Sequence, residues 1–207
     1  KCKINILSQF WRRNRKDMSK IQDLKMKIKP GEVYRREELA QWSKSVDRHL
    51  EELVTDGTLD RLSQGLYYVP FQTALGKMPP DESKLVRAFL KDSKFLLTSP
   101  NAYNSLGVGT TQLYNLRVVY NRKRHEVLKL GNRTFHFRKK PDFPLKTTEE
   151  FLLIDLVNNL DQLAEDQNEV LEKVKSKLKL MNKTRMKRSL TKYGDVKTKK
   201  ILSSLLQ

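Results

Sequence analysis

Lys44, Ser45, Arg48 and His49 stand close together near position 45. Their chemistry is non-covalent recognition. A lysine beside the N-terminus of a helix, with the backbone N–H groups there, holds phosphate. An arginine one turn further on reaches the edge of a guanine with two parallel hydrogen bonds. Ser45 and His49 add short-range polar contacts, and Asp47 would either accept from a cytosine amine or stay in solvent. Tyr34, Arg35 and Arg36 supply a second set of donors suited to phosphate, and Arg61, Ser63 and Gln64 a third. Contacts of this kind fix the register of a protein on a duplex, whereas base-edge contacts specify sequence. The bland alternative leaves Arg35 and Arg48 as solvated charges on a protein–protein module.

These side chains matter only if the chain carries them on one surface. From Ser19, Ile21, Leu24 and Ile28 recur at helical spacing until Pro30-Gly31 stops them. Residues 36–42 read as a second helix. Residues 45–55 read as a third, with Val46, Leu50, Leu53 and Val54 as its buried stripe, so that Ser45, Arg48 and His49 are expected to project away from it. Two strand-like stretches, 59–62 and 66–69, are joined through Ser63-Gln64-Gly65, a turn that suits a positive φ at glycine. Three helices followed by a hairpin is the pattern of a winged helix-turn-helix, assigned to residues 19–70. Its third helix enters the major groove and its hairpin reaches the flanking backbone.

Residues 70–80 read as a linker ending in Pro79-Pro80, and residues 71–207 as a second, mixed α/β domain. Asp81 caps a helix running to Leu90; a short strand at 95–98 and a helix at 100–106 follow. Leu116, Val118, Tyr120, Val127 and Phe135 then alternate with polar residues, which predicts three antiparallel strands. Beyond Pro144 the periodicity is helical to the end. The fold class expected is therefore α+β: a winged helix, then a small antiparallel sheet and C-terminal helices.

The segment from Lys173 to Lys200 holds twelve Lys and Arg against Asp195 alone. Lys173, Lys177, Lys183, Arg185, Lys187 and Arg188 form a basic face with three readings: a solvated surface, an additional grip on DNA backbone, or a site for a structured RNA such as transfer RNA. The whole chain points the same way, with 42 Lys+Arg against 24 Asp+Glu, a formal charge of +18 and a pI near 9.9. Such a surplus favours a nucleic acid or an anionic membrane surface.

Other classes find little support. No apolar run approaches the roughly twenty residues that cross a bilayer, and no signal-like segment is evident, so a cytoplasmic location without membrane contact is expected. A single cysteine, Cys2, and three unclustered histidines exclude a cysteine-rich zinc site, and no cofactor is expected. Gly107-Val108-Gly109-Thr110-Thr111 lacks a P-loop lysine, Glu149-Glu150 fits the first turn of a helix, and Asp155 and Asp161 match no metal motif. No catalytic residue is assigned. Residues 1–18 form a basic extension expected to lack fixed structure, with Met18 as an alternative start of translation.

Several stretches together resemble the AbiEi family of bacterial antitoxins: GEVYRREELA from Gly31, RLSQGLYYVP from Arg61, SPNAYNSLGVGTTQ from Ser99, GNRTFHFRK from Gly131 and LTKYGDVKTKKILSSLL from Leu190. The resemblance covers nearly all of residues 19–206. It implies a promoter-binding regulator of a type IV toxin–antitoxin, or abortive-infection, operon. The N-terminal winged helix would repress transcription from operator DNA upstream of the protein's own genes, and the C-terminal domain would counteract a nucleotidyltransferase toxin without necessarily forming a stable complex. A standalone winged-helix regulator and an RNA-binding accessory protein are the alternatives.

Overall fold

The computed structural model describes residues 20–206. Cys2 and the basic extension assigned to residues 1–18 lie outside them. The fold is mixed α and β, with small, largely antiparallel sheets and C-terminal helices. It divides into two units: the described residues up to Ser93 together with Lys129–Arg133, and Lys94–Leu128 with Thr134–Gln207.

In the first unit, residues 20–27 are helical (α1) and are followed by β1 (Val33–Arg35), α2 (Arg36–Ala40), α3 (Val46–Thr55), β2 (Asp60–Ser63) and β3 (Leu66–Tyr68). Leu24, Ile28, Leu39, Leu50, Leu53 and Leu59 make one apolar cluster beneath them. The spacing of α1 and α3 predicts this, because each presents an apolar stripe of about one face. Strand β3 lies between β1 and β2 and runs antiparallel to both. Gly65, at φ +70°, closes the turn from β2 to β3 in a conformation that other residues adopt only with strain. Lys25 Nζ donates to Asp56 Oδ2 at 2.6 Å, tying α1 to the end of α3.

Residues 70–80 are not a linker. Strands β4 (Phe71–Thr73) and β5 (Gly76–Met78) pair as an antiparallel hairpin, and the Tyr68 hydroxyl donates to the Met78 carbonyl at 2.9 Å. Composition misled here because short polar strands and loops share their residues. The boundary consequently moves from residue 70 to Ser93. Helix α4 (Glu82–Leu90), capped by Asp81 accepting from Lys84 N at 2.8 Å, belongs to the first unit, where Lys84 meets Glu32 and Lys91 meets Glu37.

The second unit contains β6 (Leu96–Thr98), a 3-10 helix (Pro100–Leu106), β7 (Arg117–Asn121), β8 (Glu126–Leu130) through Leu128 and β9 (Arg133–Lys139) from Thr134. The sheet order β6-β7-β9-β8 corrects the expectation of three consecutive antiparallel strands. Strand β9 inserts beside β7 and runs parallel to it, Val119 opposite Phe137, leaving β8 at the edge. Burial supplies the reason. Phe135 and Phe137 are almost wholly shielded, whereas Val127 of β8 is mostly exposed, so the strand whose aromatic side chains bury the larger apolar area takes the central position.

Helix α5 (Glu149–Asn158) is buried from Phe151 through Val157, the mark of a helix surrounded on all sides. A short 3-10 turn (Leu160–Gln162) leads to α6 (Gln167–Leu180), α7 (Lys183–Tyr193) and α8 (Val196–Leu205). Val170, Val174 and Leu178 of α6, Met186 and Leu190 of α7, and Leu202 of α8 join α5 in one core.

Candidate nucleic-acid interface

The N-terminus of α3 sorts the first set of donors into free and committed groups. Lys44 and Ser45 are exposed, have no ion pair or side-chain hydrogen bond among the described residues, and immediately precede the helix. Arg48 is half exposed with its Nε 3.6 Å from Glu52 Oε1, one turn along the same face. His49 contradicts the expectation. It is 1% exposed and shares a 2.8 Å hydrogen bond between Nδ1 and Ser43 Oγ. Three residues after Val46, it falls on the stripe that Leu50 and Leu53 continue, and the fold buries it there. Its Nε2 is shielded without a partner.

The second set is largely taken up by local structure. Tyr34 accepts from the Lys29 backbone N–H at 3.0 Å and packs edge-on against Trp42. Arg35 closes a capping box: its backbone N–H donates to Glu38 Oε2 at 2.7 Å and its guanidinium to Oε1 at 3.2 Å. Arg36 grips Asp47 with two bonds of 2.6 Å, linking the start of α2 to the start of α3 and holding the Asp47 carboxyl below its usual range. Asp47 is thereby engaged by arginine. Arg61, in β2 opposite Tyr67, and Gln64, in the turn that follows, are exposed with side chains unpartnered among the described residues, while Ser63 sits half-buried at a register shift. Lys44, Ser45, Arg61 and Gln64 are therefore the donors that local structure leaves unsatisfied.

The basic C-terminal segment also divides. In α6, Lys173 meets Glu169, Lys175 meets Glu172, and Lys177 Nζ lies 2.6 Å from Glu149. In α7, Lys183, Arg185, Lys187 and Arg188 are exposed and face no carboxylate among the described residues. Met186 and Leu190 anchor that helix, so the cations fan over its outer surface.

The sequence reading missed a polar cluster in the second unit. Asp155, 1% exposed within the otherwise apolar face of α5, accepts from the Tyr120 hydroxyl at 2.7 Å and the Tyr103 hydroxyl at 2.8 Å. Burial raises its carboxyl above the usual range, while the two hydroxyls oppose that shift. Asn159 Nδ2 donates to the Asp155 carbonyl at 2.7 Å, and Asn159 Oδ1 accepts from Arg138. A second terminal nitrogen of Arg138 donates to Gln162 Oε1 at 2.6 Å. Above this cluster opens a pocket of about 420 Å³ lined by His136, Arg138, Lys140, Asn159 and Gln162 among others. The one legible signal was a lone aspartate inside the run Leu152-Leu153-Ile154-Asp155-Leu156-Val157.

Among the described residues no three His, Cys, Asp or Glu side chains gather to hold a metal ion, and no helix is long and apolar enough to cross a membrane. Residues 20–190 match a family described as a family of unknown function, DUF6088. No curated protein matches the chain.

Proposed function

The chain belongs to DUF6088, a family of unknown function, and we propose that it is a cytoplasmic, sequence-specific DNA-binding antitoxin that represses its own operon. The observation that carries the DNA half is the set of exposed donors without a protein partner among the described residues: Lys44 and Ser45 at the start of α3, with Arg61 of β2 and Gln64 of the β2–β3 turn in the same unit. The order helix, strand, two helices and hairpin, with β3 between β1 and β2, supports reading this unit as a winged helix. In that reading α3 is the recognition helix, Lys44 and the helix N-terminus take phosphate, and Arg48 swings from Glu52 to a base edge. The exposed cations of α7 supply additional, sequence-independent attraction to a polyanion. The antitoxin half, opposing a nucleotidyltransferase toxin, rests on the resemblance to AbiEi proteins.

The test is binding of the purified protein to the DNA upstream of its own gene, to a scrambled duplex and to a transfer RNA at two salt concentrations, with Lys44→Ala and Arg61→Ala alongside. Preference for the upstream DNA that persists at the higher salt and weakens in both variants is the expected result. Equal binding to all three that collapses together as salt rises would reduce the protein to a general polyanion binder. A preference for the transfer RNA would favour the RNA-binding alternative. Co-expression with the neighbouring gene separates an antitoxin, which restores growth, from a standalone regulator, which does not.

A further inference from the structure

We propose that the pocket beside Asn159 in the second unit is a receptor for a terminal phosphate carried by a nucleotide-sized ligand. Its volume of about 420 Å³ lies within the range of small-molecule sites. Its wall carries an arginine that meets no carboxylate within ion-pair distance among the described residues, although the buried Asp155 carboxyl behind Asn159 feels its charge. Arg138 donates to Asn159 Oδ1 and Gln162 Oε1, both neutral amide oxygens. A guanidinium has five N–H donors, so about three remain after these two bonds, and the buried Asp155 offsets only part of their charge from behind. The two amides fix the plane of the guanidinium and leave its preferred partner, a carboxylate or phosphate, to come from outside.

The carboxylates at the pocket wall are already engaged. Glu126 accepts from Arg124 at 2.7 Å, and Asp195 lies 3.8 Å from Lys140. Lys139 is exposed and unpartnered among the described residues. Positive charge therefore exceeds negative at this wall, and Arg138 is its best-oriented member.

The buried cluster beneath accounts for that orientation. Asn159 is locked by Asp155, with Nδ2 2.7 Å from the carbonyl and 3.2 Å from Oδ1, and Asp155 is in turn held by Tyr103 and Tyr120. A shielded carboxylate is costly, and well-packed apolar side chains are often at least as stabilising. Keeping one here makes sense if it positions the chain Asp155, Asn159, Arg138, because a preorganised donor binds an anion without first being ordered. A concave site of this size admits a nucleotide or the end of a strand, whereas the body of a duplex stays outside. The site is thus distinct in kind from the surface of α7, and it does not depend on the DNA-reading role of the first unit.

Three histidines, His49, His125 and His136, make the test direct in the full-length wild-type protein. His125 and His136 line the pocket; His49 lies in the core of the first unit. Imidazole proton resonances are followed by NMR as adenosine 5′-monophosphate, inorganic pyrophosphate, adenosine, or a short single strand with and without a 5′-phosphate is added at constant ionic strength. The phosphate-bearing probes should move His136 and His125 in a saturable way, leave His49 in place and raise the apparent pKa of His136. Partial burial and Arg138 hold that pKa below its ordinary value in the free protein. Adenosine and the unphosphorylated strand should do neither. Saturation by the mononucleotide assigns a free nucleotide; saturation by the phosphorylated strand alone assigns a strand end. Arg138→Gln should weaken binding about tenfold or more, with partial recovery in Arg138→Lys. Histidines that stay in place, or that move equally with potassium chloride, would overturn the proposal, as would unchanged affinity in a folded Arg138→Gln. If that variant does not fold, the wild-type titration decides alone.

Discussion

Helices α6 and α7 follow one another in the chain and are both rich in lysine and arginine, yet the fold treats their charges oppositely. Lys173, Lys175 and Lys177 of α6 each meet a glutamate, and among the described residues Lys179 meets none. Helix α7 carries no acidic residue, and Lys183, Arg185, Lys187 and Arg188 meet none elsewhere among the described residues. A formal charge of +18 counts these groups alike. A polyanion does not, because it must first displace the glutamates paired with the α6 lysines, at up to about 1 kcal/mol for each exposed pair. The first unit repeats the contrast on a smaller scale, with Arg35 and Arg36 engaged and Lys44 and Arg61 unsatisfied.

The largest effect that separates the two helices is in nucleic-acid affinity. Replacing Lys183, Arg185, Lys187 and Arg188 together by glutamine should lower affinity for duplex DNA about a hundredfold near 0.1 M salt and flatten the logarithmic salt dependence by up to about 3 to 4. The matched replacement of Lys173, Lys175 and Lys177 should cost less than about threefold. Fluorescence anisotropy over a salt series measures both. Equal losses would mean that the α6 ion pairs open on binding and that the distinction between the helices is empty.

What could be read from the sequence follows from the range of the interactions involved. The apolar stripes of α1 and α3 are local and showed in the spacing of their residues. His49 was misplaced because its type suggested an exposed donor while its position, one turn after Val46, put it on the buried face. Strand β1 escaped notice because three residues show no alternation; only pairing with β3 makes Val33–Arg35 a strand. The parallel pairing of β7 with β9 is likewise a choice between partners that no single segment encodes. Of the candidate sites, Lys44, Ser45, Arg61 and Gln64 were legible as donors, but their freedom was not, since it depends on where Glu38, Asp47 and Glu52 fall. The Asp155 cluster draws Tyr103, Tyr120 and Arg138 from three separate segments, so only its aspartate was visible as an anomaly.

That cluster gives a prediction on stability. Asp155→Ala strands two buried tyrosine hydroxyls, while the Asn159 amide keeps its bond to the residue 155 carbonyl, and should destabilise the protein by about 3 kcal/mol, read as a lower midpoint in urea. Asp155→Asn should cost less and reveal the sign of the linkage. A carboxyl whose folded pKa is raised contributes stability in full below its unfolded value and loses it as pH rises through the folded one. The wild type should therefore lose this stability above the ordinary carboxylate range, and Asp155→Asn should not. A parallel pH dependence in the two proteins would show that Asp155 does not titrate abnormally.

In the first unit the comparison of paired with unpaired cations reduces to two lysines. Lys44→Ala should weaken DNA binding about fivefold and flatten the salt slope by about 1, uniformly across sequences. Lys25→Ala, which removes a lysine bound to Asp56, should change affinity little. Indistinguishable losses would mean that pairing does not decide which cations act.

The smallest effect asks whether an exposed pair persists in solution at all. Asp56 accepts from Lys25 at 2.6 Å and from the Thr58 backbone N–H at 2.9 Å, and these contacts, Lys25 first, lower its carboxyl to about 2. A depressed carboxylate contributes stability above its unfolded pKa and loses it as pH falls through the folded value, so the loss belongs between about pH 4 and pH 2. Both partners are about 40% exposed, and solvent screening keeps the contribution below about 1 kcal/mol. The carboxyl carbon resonance of Asp56 should titrate near 2 in the wild type. In Lys25→Ala it should move upward yet stay below the ordinary value, because Thr58 still donates. An unchanged titration in that variant would mean that the lysine is not held at the carboxylate. The α6 lysines, paired in the same exposed way, would then be as available to a polyanion as those of α7.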